Sequence, residues 1–163
     1  MGKCVFSLLV DNQAGVLSRV AGLFSRRGYN IDSLTVGETE NPAFSRMTVV
    51  ASGEPEVLEQ IEKQLLKLID VKEIKVLPAN MSVCRELILV KVMVEAQDRQ
   101  QVISVADIFR AKIVDVSEHS MMVELTGNEQ KLEAFTKLLE QFRIRELART
   151  GITGLGRGCL DEA

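Results

Sequence analysis

Asp11, Asn12, Gln13 and Gly15 stand together in DNQAGVL, residues 11–17, directly ahead of a helical pattern. These types suit a small zwitterion. The first N–H groups of a helix have no partner inside it, and the helix dipole adds partial positive charge, so such an end attracts a carboxylate or a phosphate. Gly15 lets a ligand approach the backbone with no Cβ in the way. Asn12 and Gln13 donate and accept, and Asp11 could take an ammonium group. A carboxylate receiver beside an ammonium receiver describes a free amino acid. The structural alternative is that Asp11 or Asn12 is an N-cap and Gly15 a turn residue. A second polar group lies in GYNID, residues 28–32, where Asn30 and Asp32 alternate with Tyr29 and Ile31.

The elements that position these residues occur twice. Leu17, Val20, Ala21 and Phe24 form an apolar helical stripe ended by Gly28, and Val102, Val105, Ala106 and Phe109 repeat it at an offset of 85. Leu58, Ile61, Leu65 and Leu68 form another, repeated at an offset of 74 as Leu132, Phe135, Leu139 and Phe142. Strand patterns cover residues 3–10, 31–36, 44–50 and 71–77, then 86–94, 113–116, 121–125 and 144–148. Each half reads β-α-β-β-α-β. The expected fold is α+β: two ferredoxin-like βαββαβ domains in tandem, each an antiparallel four-stranded sheet with both helices on one face. The first domain spans 1–77, a linker 78–84, and the second domain 85–163 with a flexible tail. At an offset of 85 the second copy of the loop is residues 96–101, AQDRQQ, with no glycine and no asparagine at the matched places. Only the first half carries a loop of the binding type.

In this topology Asn30 and the loop lie at opposite ends of one subunit. A strand of about six residues spans about 20 Å, too far for one small ligand. The strand after Asn30 is an edge strand, however. Antiparallel pairing with its copy in a second chain brings Asn30 and Ile31 of one chain to the loop of the other and covers an exposed edge. The pattern therefore predicts a homodimer with two ligand sites across its interface.

Composition narrows the classes. The 163 residues are 46% hydrophobic with a formal charge of −3, no Trp and one Tyr. A mildly acidic chain with few aromatics argues against nucleic acid as a partner. No apolar run reaches the roughly 18 residues a membrane helix needs. The start MGKCVFSLLVDN reads as a first strand, not a signal peptide. Cys4, Cys84 and Cys159 are distant and odd in number, which favours reduced thiols in the cytosol over disulfides or zinc. His119 is the lone histidine, in a polar corner. There is no G-x-S-x-G elbow and no P-loop. GITGLGRG, residues 151–158, precedes no helix and reads as a flexible segment.

DNQAGVLSRVAGLFSRRGYNIDSLTVGETE, SRMTVV and QIEKQLLKLIDV resemble the N-terminal ACT domain of the regulatory (small) subunits of acetolactate synthase, also called acetohydroxyacid synthase. RELILVKV, FRAKIVDVS, TGNEQKLEAFTKLL and ELARTGITGLGRG resemble the C-terminal half of the same family. The likeness runs in one register over residues 3–158. It implies a non-catalytic chain in a transferase holoenzyme of valine, leucine and isoleucine biosynthesis. The catalytic partner would carry thiamine diphosphate, Mg²⁺ and FAD. The small subunit would activate it and make it sensitive to feedback inhibition by a branched-chain amino acid, most often valine. The effector-binding residues implied are Asn12, Gly15 and Asn30. Backbone at Val16 and Leu17 would serve the effector carboxylate, and Ile31 its apolar side chain. Asp11, Gln13 and Ala14 flank them. A free-standing amino-acid-sensing ACT protein with another partner shares every feature of the first half; the resemblance of the second half separates the two.

Overall fold

The computed structural model describes residues 2–158. The chain divides into two compact units, residues up to 84 together with those from 152 onward, and residues 85–151.

In the first unit the elements are β1 (Gly2–Asp11), α1 (Val16–Arg26), β2 (Ile31–Glu38), β3 (Phe44–Gly53), α2 (Pro55–Leu66) and β4 (Val71–Val76). The antiparallel sheet has the order β2-β3-β1-β4, so β2 is an edge strand as expected. Strand alternation decides the core. Phe6, Leu8 and Val10 of β1 and Met47, Val49 and Ala51 of β3 turn toward the helices and pack with Val20, Phe24, Ile61 and Leu65. Ser7 and Thr48 occupy the intervening positions on the opposite face.

The second unit repeats the plan. Its elements are β5 (Ser82–Met93), α3 (Arg99–Phe109), β6 (Lys112–Val116), β7 (Ser120–Gly127), α4 (Glu129–Leu139) and β8 (Arg143–Arg149). The order is β6-β7-β5-β8. Val90, Val92, Val123, Phe135 and Leu139 are fully buried at its centre. Phe109 meets Phe135 edge to face, with ring centroids 5.3 Å apart.

The α1 stripe and the repeat offset read from the sequence are corrected. In α1 the buried face is Val16, Val20, Leu23 and Phe24; Leu17 is 46% exposed and Ala21 only half-buried. The helix starts right after Gly15, so its inward stripe begins one residue earlier. The offset between the first parts of the halves is accordingly not 85. Register breaks fall at Val10 and Val92 and after Ile31 and Ile113, pairs separated by 82. The offset of 74 in the second helices matches their buried faces, Ile61 and Leu65 against Phe135 and Leu139.

Residues 78–84, expected as a linker, contain the start of β5 at Ser82. The glycine-rich segment is not loose: Thr153–Gly156 form a short strand, β9, paired with β5. Arg157 N–H donates to Met81 O at 2.7 Å. At Gly154 a Cβ would lie 2.6 Å from Cys84 Sγ and 3.0 Å from Val83 O, so only glycine fits. Ile152 is held by β2 side chains: its N–H donates to Ser33 Oγ at 2.8 Å, and Thr35 Oγ1 donates to its carbonyl at 3.2 Å. The tail expected beyond residue 158, with Cys159, lies outside the described residues.

Candidate functional site

The loop of residues 11–15 joins β1 to α1. Neither Asp11 nor Asn12 caps the helix. The N-cap position is Gly15 in the left-handed region at φ 89°, and no side chain bonds the first-turn amides. Asn128 of α4 shows what a true cap does here, its Oδ1 accepting from Lys131 N–H at 2.9 Å. The capping alternative therefore fails for α1: no side chain closes the helix start, and Val16 N–H makes only a long bond, 3.4 Å, to Gln13 O of the loop itself.

Asn12 ties the loop to the β2–β3 connection. Its Nδ2 donates to Pro42 O at 3.0 Å and lies 3.5 Å from Glu38 Oε2. Its Oδ1 accepts from Ser45 Oγ at 3.1 Å, and its N–H donates to Ala43 O at 2.9 Å. Asp11 is engaged by Lys72, with Nζ 3.3 Å from Oδ2, and its N–H donates to Asp70 O at 2.9 Å. Gln13 and Ala14 are exposed at the tip.

The sequence reading missed an ion pair beside the loop. Arg19, one helical turn beyond Gly15, donates through Nε to Asp70 Oδ2 at 2.5 Å. That hydrogen bond holds the Asp70 carboxyl below its ordinary value and raises the Arg19 guanidinium. Arg19 Nη1 lies 2.9 Å from where a Gly15 Cβ would be. A cation thus sits at the uncapped helix end, against a glycine that leaves room for it. The one local signal was the single helical turn between Gly15 and Arg19; Asp70, far along the chain, had none.

Asn30 and Ile31 are elsewhere. Ile31 lies across from Ala51, and Ala51 from Cys4, whereas Asp11 lies across from Phe44. Seven residues of strand, roughly 24 Å, separate the two groups within one chain. Asn30 Nδ2 donates to Asp32 Oδ1 at 2.8 Å, and Ser52 Oγ donates to Asp32 Oδ2. Among the described residues β2 pairs only with β3.

At an offset of 82 the second copy of Asn12 is Val94. The two share a backbone bond, Asn12 to Ala43 O and Val94 to His119 O, each 2.9 Å. Val94 is buried and carries no side-chain hydrogen-bonding group, and the place of Gly15 falls to Gln97. Arg99 Nη2 instead bonds Ser117 O at 3.1 Å and Glu118 O at 2.7 Å, closing the corner. His119 is 58% exposed, with Glu95 at 3.5 Å. No group of three or more His, Cys, Asp or Glu able to hold a metal occurs among the described residues. No helix of the described residues is long and apolar enough to cross a membrane. Phe6 is buried against the helices and offers no stacking platform.

Residues 6–73 match a family described as the AHAS small subunit-like ACT domain, and residues 85–158 match one described as the small subunit of acetolactate synthase. This chain belongs to the acetolactate synthase small-subunit family. A probable acetolactate synthase small subunit of Methanothermobacter thermautotrophicus is 51% identical over 155 residues, 94% of this chain and 92% of that protein. An acetolactate synthase small subunit of Mycobacterium bovis is 54% identical over 152 residues, 93% of this chain and 90% of that protein. The crystal structure of the acetolactate synthase small subunit from Thermotoga maritima superposes with a TM-score of 0.90 at 42% identity, covering 97% of this chain and 99% of that one. An acetolactate synthase small subunit with an ACT domain is a component of branched-chain amino acid biosynthesis.

Proposed function

We propose that this chain is the non-catalytic regulatory subunit that binds and activates the catalytic subunit of acetolactate synthase, and that it carries the site for feedback inhibition by a branched-chain amino acid, valine first among them. The thiamine diphosphate, Mg²⁺ and FAD belong to the catalytic partner. The observation that carries the reading is the uncapped start of α1 behind Gly15, in a chain whose two halves both match small-subunit families.

The effector lies between two copies of the first unit. β2 runs from Ile31 to Glu38, and Glu38 is the residue that reaches Asn12. Antiparallel pairing of β2 with its copy sets Ile31 of one copy beside Glu38 of the other. Asn30 and Ile31 of one chain then face the loop of its partner. The effector carboxylate takes the Leu17 amide, and the Val16 amide in place of its long bond to Gln13 O, with Arg19 nearby. Its side chain packs on Ile31.

Binding then couples two equilibria. A coupling of about 1–3 kcal/mol gives roughly 5- to 150-fold changes, and it is reciprocal, so the catalytic subunit alters effector affinity by the same factor. The test is reconstitution: acetolactate formation by the catalytic subunit alone, with this chain, and with this chain plus L-valine, L-leucine or L-isoleucine. Activation by the chain and its reversal by one amino acid supports the reading. A catalytic subunit indifferent to the chain refutes it.

A further inference from the structure

β2 and β6 carry a β-bulge at the same place. β2 pairs Ile31 with Ala51 and Ser33 with Val50, so Asp32 is the extra residue. β6 pairs Ile113 with Val123 and Asp115 with Met122, so Val114 is the extra residue. The bulge is therefore shared architecture, and the units differ in what it carries. A bulge breaks the alternation of side chains and re-aims one of them. In the first unit it brings the Asp32 carboxylate onto Asn30 Nδ2 at 2.8 Å and onto the Ser52 hydroxyl. In the second unit the same three places hold Lys112, an exposed Val114 and Glu124. The polar set exists only beside the edge strand of the unit with the glycine loop.

The chemistry has a direction. A carboxylate only accepts, and a carboxamide has one donating and one accepting end. Asp32 therefore fixes which end of Asn30 is which: Nδ2 faces Asp32 and Oδ1 faces away. Ser52 holds the carboxylate from its other oxygen. What the start of β2 presents is a carbonyl acceptor backed by a negative charge, a pair suited to a cationic donor.

We propose that Asp32 is a positioning residue for the ammonium group of the effector, orienting the Asn30 carbonyl toward it and supplying the charge that favours –NH3⁺ over a neutral group. This rests on the amino-acid-binding reading above and adds its polarity: carboxylate at the α1 end of one copy, ammonium at the Asn30 end of the other.

The experiment is calorimetric binding of L-valine, L-leucine and L-isoleucine to the full chain, each beside its 2-hydroxy acid, in wild type, Asp32→Asn and Asp32→Ala. Asp32→Asn keeps an acceptor for Asn30 and removes the charge; Asp32→Ala removes both. The expected result is an amino-acid affinity about tenfold lower in Asp32→Asn, the value of one charge-assisted hydrogen bond, and lower still in Asp32→Ala. The 2-hydroxy acid should change by less than about twofold in Asp32→Asn, with unfolding midpoints near wild type. Amino-acid affinity within about twofold of wild type in both variants overturns the role of Asp32 and leaves the effector site standing. Equal losses for amino and hydroxy acids make Asp32 merely structural and overturn it too. A wild-type chain that binds none of the amino acids, alone or with the catalytic subunit, removes both the polarity and the site.

Discussion

Gly15→Ala, compared with Gly28→Ala, separates backbone strain from the binding role of the loop. Both glycines have positive φ, 89° and 69°, and both lie in the first unit. A Cβ at Gly28 meets nothing within 4 Å, so its substitution reports the left-handed backbone alone. That costs about 1–2 kcal/mol, offset by the roughly 0.4–1 kcal/mol that alanine removes from unfolded-chain entropy. The net is about 1 kcal/mol, or roughly 2–4 °C in Tm for a chain of this size. Gly15→Ala carries the same strain and adds a contact at 2.9 Å with Arg19 Nη1. The guanidinium is the far end of a flexible side chain, so it can move, at the expense of its bond to Asp70. Gly15→Ala should therefore be the more destabilising of the two. In a double-mutant cycle with Arg19→Ala the excess should vanish. The functional readouts should diverge further: Gly28→Ala keeps inhibition of the reconstituted enzyme by the effector, and Gly15→Ala loses it. Denaturant unfolding and inhibition curves on the same preparations decide. A Gly15→Ala chain as stable as wild type and fully inhibitable would refute both the strain and the site.

Arg110 is the reciprocal case: at φ 57° it is the counterpart of Gly28 at an offset of 82, so Arg110→Gly should stabilise the chain by up to about 1 kcal/mol in urea unfolding. Asp70 is held below its ordinary value by Arg19, so its contribution is present above the usual carboxylate range, near pH 4, and is lost as pH falls through its lowered value. The stability gap between wild type and Asp70→Asn should accordingly be constant at neutral pH and close in acid; a gap unchanged down to pH 2 contradicts the pair. Gly154→Val should cost about 1–3 kcal/mol by overpacking against Cys84 and Val83 and should speed amide exchange at Ile152, whereas Leu155→Val, at a 60% exposed position, should do neither.

The two βαββαβ units were legible because helix stripes and strand alternation have different periods and each recurs. The offset of 85 misled because Val20 and Phe24 belong to the true stripe and to one shifted by a residue. What fixes the offset at 82 is the position of the register breaks, which leave no local mark in the sequence. β9 was hidden for a similar reason. TGLG has little intrinsic preference for a strand, and its partner, the start of β5 at Ser82, lies far back along the chain. At the site, Gly15 and Asn12 could be picked out from residue type and spacing. Their partners Arg19, Asp70, Glu38 and Ser45 come together only through the fold. Asp32 was visible as a polar residue alternating with Tyr29 and Ile31 in GYNID, but its bond to Asn30 depends on the bulge.

Thermal unfolding of the full chain with L-valine, L-leucine, L-isoleucine and D-valine tests most directly whether the loop at Gly15 is an amino-acid site. A ligand at about 100 times its Kd stabilises by about 2.7 kcal/mol, roughly 5–10 °C here. The account predicts a shift of that size with one L-amino acid, none with D-valine, and none in Gly15→Ala. No shift with any of them, with the catalytic subunit absent or present, would contradict it.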